Sequence, residues 1–95
     1  MNDPHFEWDE AKAKSNLQKH RLGFEEGVTI FNDPLIVTIP DRTHSKQEQR
    51  YISLGASVKG HILVVIHVER SDKTRLISCR NAIPRERKIY EKLNK

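Results

Sequence analysis

Cysteine is almost missing from this chain, and long apolar runs are missing altogether. Cys79 stands alone among 95 residues, so no intrachain disulfide can form and no pair of thiolates can hold a metal. A single cysteine in an apolar stretch reads as a small buried strand residue, and a reducing compartment fits it. No apolar stretch approaches the ~20 residues needed to cross a bilayer. The opening Met1-Asn2-Asp3-Pro4-His5 lacks the basic-then-apolar layout of a signal peptide. A cytoplasmic chain without membrane contact is the expectation. There is no internal repeat, low-complexity tract or linker, and no HExxH, glycine-rich phosphate loop or nucleophile elbow. Those gaps argue against zinc hydrolases, P-loop enzymes and serine hydrolases. The length allows one domain, residues 1–95, whose thin core buries roughly 60–65% of the unfolded surface. A bound partner would add useful stability to such a domain.

What the chain does carry is positive charge. Lys and Arg number 17 against 13 Asp and Glu, a net +4, and five His can add to it in an anionic setting. Such a balance favours polyanionic partners. The aliphatic residues gather in Leu35–Ile39, Ile52–Leu54, Ile62–Val68 and Leu76–Ile77, so a core is available despite the polar average.

The pattern predicts a short strand, two helices, a run of strands and a last helix. His5–Glu7 suits an edge strand. Asp9 can cap a helix running from Glu10 to about His20, with Lys19, His20 and Arg21 at its negative end. Gly23 precedes a second helix whose apolar stripe is Phe24, Val28 and Phe31, ended by Asn32-Asp33-Pro34. Leu35–Ile39, Arg50–Ala56, His61–Val68 and Thr74–Arg80 read as strands, with Pro40 stopping the first and a polar loop at Asp41–Gln49. The short connections after that loop suit antiparallel neighbours. Pro84 suits the first turn of a final helix carrying Ile89, Tyr90 and Leu93 as its stripe. Glu86 falls on that stripe and needs a partner, for which Arg80 is the nearest cation in sequence.

Phe6-Glu7-Trp8-Asp9, Lys12, Asn16, Lys19-His20, Phe24-Glu25-Glu26, Phe31 and Asp33 form an ordered set. Asp41, His44-Ser45, Glu48 and Arg50 continue it, and Ile77-Ser78-Cys79-Arg80, Ala82, Glu86-Arg87 and Tyr90-Glu91 close it. Together they resemble the BrnT toxins over nearly the whole chain. The resemblance implies an α+β, RelE-like fold, an antiparallel sheet packed with two N-terminal helices and one C-terminal helix. It also implies endoribonuclease activity that inhibits translation as the toxin of a type II toxin–antitoxin system. The implied partner is a BrnA-like, DNA-binding antitoxin through which operator DNA is reached. Arg21, Gly23 and Cys79 depart from the family's usual glycine, serine and alanine.

RNA can be cut without a cofactor or metal, because its own 2′-OH attacks the adjacent phosphate. The enzyme must then remove one proton, supply another and stabilise phosphate charge. Arg80 is the leading candidate, as a phosphate clamp; a structural ion pair with Glu86 is its plainer role. Arg50 could also contact phosphate, or be a solvated strand-end charge. His44, in the polar loop, could move a proton or be surface decoration. His20 could take part in the chemistry or cap its helix. Glu86 could act as base, or orient Arg80. Lys12 and Lys19 share a helical face that could hold the RNA backbone, and Tyr90 and Trp8 could contact a base or belong to the core. His61 and His67 stand ~20 Å apart along an extended strand, too far to share a metal. The competing function is a basic module that binds nucleic acid or an acidic partner without cutting anything. A DNA-binding protein in its own right is disfavoured, since no helix-turn-helix with a basic recognition helix is evident.

Overall fold

The computed structural model describes residues 5–43 and 48–94. In chain order it has β1 (Phe6–Glu7), α1 (Glu10–His20), α2 (Phe24–Val28), a 3-10 turn (Thr29–Asn32), β2 (Val37–Pro40), β3 (Arg50–Ala56), β4 (Ile62–Arg70), β5 (Lys73–Asn81) and α3 (Pro84–Leu93). The sheet order is β1-β5-β4-β3-β2. Strands β2 to β5 form an antiparallel meander, as their short connections require. β1 instead lies parallel to β5. β5 arrives beside it only after the chain has run through both N-terminal helices and β2 to β4, and this parallel pair makes the sheet mixed. Among the described residues no helix is long and apolar enough to cross a membrane.

Alternation along β4 divides the core in two. Leu63 and Val65 point to one face, where they meet Leu22, Phe24, Val28, Ile30, Leu76 and Cys79. This inner face is covered by α1 and α2, with Trp8 set edge-on to Phe24 and Phe6 against Phe31. Val64 points to the opposite face and packs with Leu54 and with Tyr90 of α3, flanked by Val37, Ile52, Ile62, Ile66 and Ala82. On β5 the register slips: Ile66 pairs with Ser78 but His67 pairs with Leu76, so Ile77 is an extra, bulged residue. The slip keeps both Leu76 and Cys79 on the inner face although they are an odd number of residues apart.

The Asp9 carboxylate caps α1, accepting from the N–H of Ala11 at 2.8 Å and of Lys12 at 3.2 Å. Halfway along, Asn16 is buried and completes the edge of β5 where β1 has ended. Its Nδ2 donates to the carbonyls of Cys79 (2.8 Å) and Leu22 (3.0 Å), and its Oδ1 accepts from the Cys79 N–H at 3.0 Å. The second helix is shorter than its apolar stripe predicts. It tightens into the 3-10 turn at Thr29, whose hydroxyl donates back to the Glu26 carbonyl at 2.6 Å. Just beyond, the Asp33 carboxylate ties three elements together. It accepts from the N–H of Leu35 (2.9 Å) and of Ala56 (2.8 Å), and from the Tyr90 hydroxyl.

Pro40 does not stop β2 but forms its last residue. β2 is an edge strand, where a missing donor costs little. His61 sits before β4 and pairs with Glu26, while His67 bonds Ser53 and Glu69. Among the described residues no group of three or more His, Cys, Asp or Glu is placed to hold a metal.

Candidate nucleic-acid interface

Arg80 lies opposite Val64 on β5, and therefore on the face that α3 covers. There its guanidinium meets Glu86 end-on, with Nη1 to Oε1 at 2.8 Å and Nη2 to Oε2 at 2.9 Å. Glu86 also accepts from the N–H of Ile83 at 3.0 Å, which secures the first turn of α3 where Ile83 has no capping oxygen to offer. The hydrogen bonds from Arg80 hold the Glu86 carboxyl below its ordinary range, with partial burial opposing. The same bonds raise Arg80. With both oxygens engaged and its proton affinity lowered, Glu86 is suited to aiming Arg80 rather than to accepting a proton. Arg80 also donates to the Asn81 carbonyl. Two of its five N–H groups thus remain unused among the described residues, and its side chain is 38% exposed.

At the other end of the same face stands a second cationic group. Arg50 pairs with Val68, Val68 with Arg75, and Arg70 with Lys73. Glu48 sits among them, accepting from Arg70 at 2.7 and 2.9 Å. Its carboxyl is held low first by those bonds, against slight desolvation, and then by the charges of Arg70, Arg75 and Arg50. Glu7 on β1 bonds Arg75 at 3.3 Å. Arg50 and Arg80 are two strands and four residues out of step on one face. At ordinary strand spacings their Cα atoms are roughly 16 Å apart, with Ser78, Ile66 and Ile52 in a row between them.

Beyond β1 no strand pairs with the outer edge of β5, and α1 lies alongside it, with Asn16 bonded to Cys79. Lys12, Ser15, Asn16, Lys19, His20, Ile77 and Ser78 line a depression of about 190 Å³ there. Ser78 is two residues from Arg80, roughly 7 Å along the strand. The depression therefore borders the Arg80 end of the sheet face. The structure brings Lys12, Lys19 and His20 together and sets them beside the strand of Arg80, with Arg50 farther across the same face. It does not bring Tyr90 to the surface. That ring is 8% exposed in the core under α3, and its hydroxyl is committed to Asp33, so Tyr90 is withdrawn from the RNA-contacting set. Trp8 likewise packs against the inner core. His44 lies outside the described residues.

Three participants escape sequence reasoning. Arg75 and Arg80 are five residues apart, and strict alternation would put them on opposite faces. The bulge at Ile77 puts them on the same one. Arg70 looks like a turn residue and is the last residue of β4. Asn16 sits mid-helix among exposed residues with nothing in its spacing to mark it as buried.

The comparisons with known proteins agree with this architecture. A family model described as the ribonuclease toxin BrnT of type II toxin–antitoxin systems matches residues 8–86. The crystal structure of the Brucella abortus ribonuclease toxin BrnT is similar at a TM-score of 0.63 and 25% identity. The match covers 80% of this chain and 92% of that one. No curated protein matches by sequence.

Proposed function

Because this chain belongs to the BrnT family of ribonuclease toxins of type II toxin–antitoxin systems, we propose that it is a metal-independent endoribonuclease that binds RNA across the cationic sheet face. Translation stops as its RNA targets are cut, and a DNA-binding antitoxin neutralises it. The observation that carries this reading is the convergence of Arg50, Arg75 and Arg80 on one face, with Arg80 aimed by Glu86.

The substrate's 2′-OH attacks its own 3′ phosphate and the 5′-oxygen leaves. Negative charge builds on the phosphate oxygens in the transition state. The spare N–H groups of Arg80 are suited to it, because charge-assisted bonds from a preorganised guanidinium strengthen as that charge grows. Glu86 is a positioning residue. Arg50 and Arg75 take flanking phosphates, and Lys12, Lys19 and His20 hold the strand where it leaves the sheet past Ser78. Proton transfer falls to His44 in this reading, since Glu86 is committed to Arg80.

The test is purified protein on RNA in EDTA. Wild type cleaves, and Arg80→Ala lowers the rate about a hundredfold or more, the usual cost of a lost transition-state donor. Arg50→Ala and His44→Ala lower it as well. Undiminished cleavage by all three variants would remove this site. Intact RNA with wild type, alongside salt-sensitive binding, would make the chain a binding module.

A further inference from the structure

On the same sheet face as the cations, and between them, lies an unexplained apolar groove. Ile89 and Leu93 of α3, with Glu86, form one wall. Val37 and Ile39 of β2, Ile52 and Leu54 of β3 and Val64 of β4 form the floor and far side, enclosing about 240 Å³. The sequence pattern places Ile89 and Leu93 on a buried stripe, yet they are 47% and 63% exposed, and Ile39 is 52% exposed. These large aliphatic groups are grouped rather than scattered, and such a patch marks a place where something binds.

We propose that this groove docks an amphipathic helix of the antitoxin, aliphatic on the side that enters it and flanked by Asp or Glu. The proposal rests on the toxin reading above. The groove's lining holds no aromatic ring and no free donor, since its one polar side chain, Glu86, is engaged by Arg80 and Ile83. A nucleobase would find nothing there to stack on or read. Its rim is cationic. At 100° per residue, Arg85 and Lys92 follow Ile89 around α3 toward solvent, with Lys88 next to them, and all three are exposed. A second copy of this chain would set like charges against each other, whereas an acidic-flanked segment meets opposite ones. A strand added to β2 is poorly served, because β2 is four residues long and ends in Pro40, which has no N–H. A helix needs no backbone partner and can bury its aliphatic residues directly.

The position also accounts for neutralisation. Ile52 is two residues from Arg50 on the same face of β3, and Glu86 is the partner of Arg80. A helix seated here lies between the two cationic groups and covers the path an RNA strand would take.

The test uses the antitoxin encoded in the same operon as purified protein, titrated against wild type, Ile89→Glu, Leu93→Glu and Leu93→Ser. Val58→Glu is the control, since that side chain is 78% exposed on a turn away from the groove. The groove variants should raise Kd for the antitoxin at least about tenfold, and the two Glu variants should exceed Leu93→Ser. More antitoxin is then needed to stop cleavage, while the uncharged Leu93→Ser cleaves without antitoxin, and the control binds antitoxin, at wild-type levels. Unchanged Kd in all the groove variants overturns the proposal. So does weaker RNA binding by the uncharged Leu93→Ser, which would make the groove an RNA site. A concentration-dependent dimer that Ile89→Glu abolishes would overturn it in favour of self-association. Should wild type leave RNA intact, the toxin reading fails in the cleavage assay, and the Kd series still judges the groove separately.

Discussion

The two faces of this sheet are finished to different degrees. On the inner face, α1 and α2 cover a continuous apolar cluster, and polar groups are tied into closed networks. One is Asn16 on the edge of β5. Another crosses the sheet: Thr38 Oγ1 to Ser53 Oγ at 2.8 Å, Ser53 to His67 Nε2 at 2.7 Å, His67 Nδ1 to Glu69 at 2.9 Å and Thr74 to Glu69 at 2.9 Å. Among the described residues no buried side-chain nitrogen or oxygen is left without a partner. The opposite face has only the ten residues of α3 to cover it. They seal Leu54 and Val64 but leave an aliphatic groove open and arginines at its ends. A thin domain cannot finish both faces. This one closes the inner face and leaves the other available, so substitutions should separate by face: fold on one side, function on the other.

The largest expected contrast is between Arg80 and Asn16. Arg80→Ala should lower cleavage about a hundredfold, near 3 kcal/mol in the barrier. Its stability should fall by about 1 kcal/mol at most, because the ion pair with Glu86 is partly solvated. Asn16→Ala should do the reverse. It strands the Cys79 N–H and two buried carbonyls, a loss of roughly 3 kcal/mol. At temperatures where the variant is still folded, cleavage should persist. Urea denaturation and RNA cleavage on the same two proteins measure both, and equal stability losses would break the division of labour.

Legibility also differed between the faces. α1 is bounded by Asp9 and the basic residues before Arg21, and α3 starts at Pro84, all readable locally. β3 spans Arg50–Ala56 as alternation predicts, while β4 and β5 extend slightly past their apolar stretches. What alternation cannot reveal is non-local. The parallel seating of β1 depends on where β5 ends up, and the bulge at Ile77 inverts the face of every residue on one side of it. Arg75 was hidden for that reason. Ile89 and Leu93 have the spacing of buried residues, and only the narrowness of the surface beneath α3 shows that they are not covered. The Arg80–Glu86 pair was legible because both partners lie within one strand-to-helix connection.

A smaller effect sharpens the account of the inner face. Burial, partly offset by the Glu69 carboxylate, keeps the His67 imidazole below its ordinary 6.5. The unfolded chain therefore takes up that proton first as pH falls. His67 contributes stability that is complete above about pH 6.5 and is lost as pH drops through the unfolded value toward the folded one. Between pH 7.5 and 5.5, wild type should lose more unfolding free energy than His67→Gln. Parallel curves would mean that the Ser53–His67–Glu69 chain adapts to protonation.

The smallest effect concerns a departure from the family's usual residue. Arg21 ends α1 at φ 60° and ψ 28°, with its N–H bonded to the Leu17 carbonyl at 2.9 Å. That left-handed geometry crowds the Cβ of any L-residue at a cost of about 1–2 kcal/mol, and glycine avoids it. Glycine also gives the unfolded chain more freedom, which returns part of the gain. Arg21→Gly should therefore stabilise the fold by about 0.5–1 kcal/mol in urea denaturation. Arg21→Ala removes the same charge but keeps the Cβ, and should bring no gain. Equal stabilisation by both would mean that charge at the end of α1, where Lys19 and His20 already stand, matters more than backbone geometry. Arg21 would then belong with the cationic residues of the edge proposed to bind RNA rather than with the closed inner face.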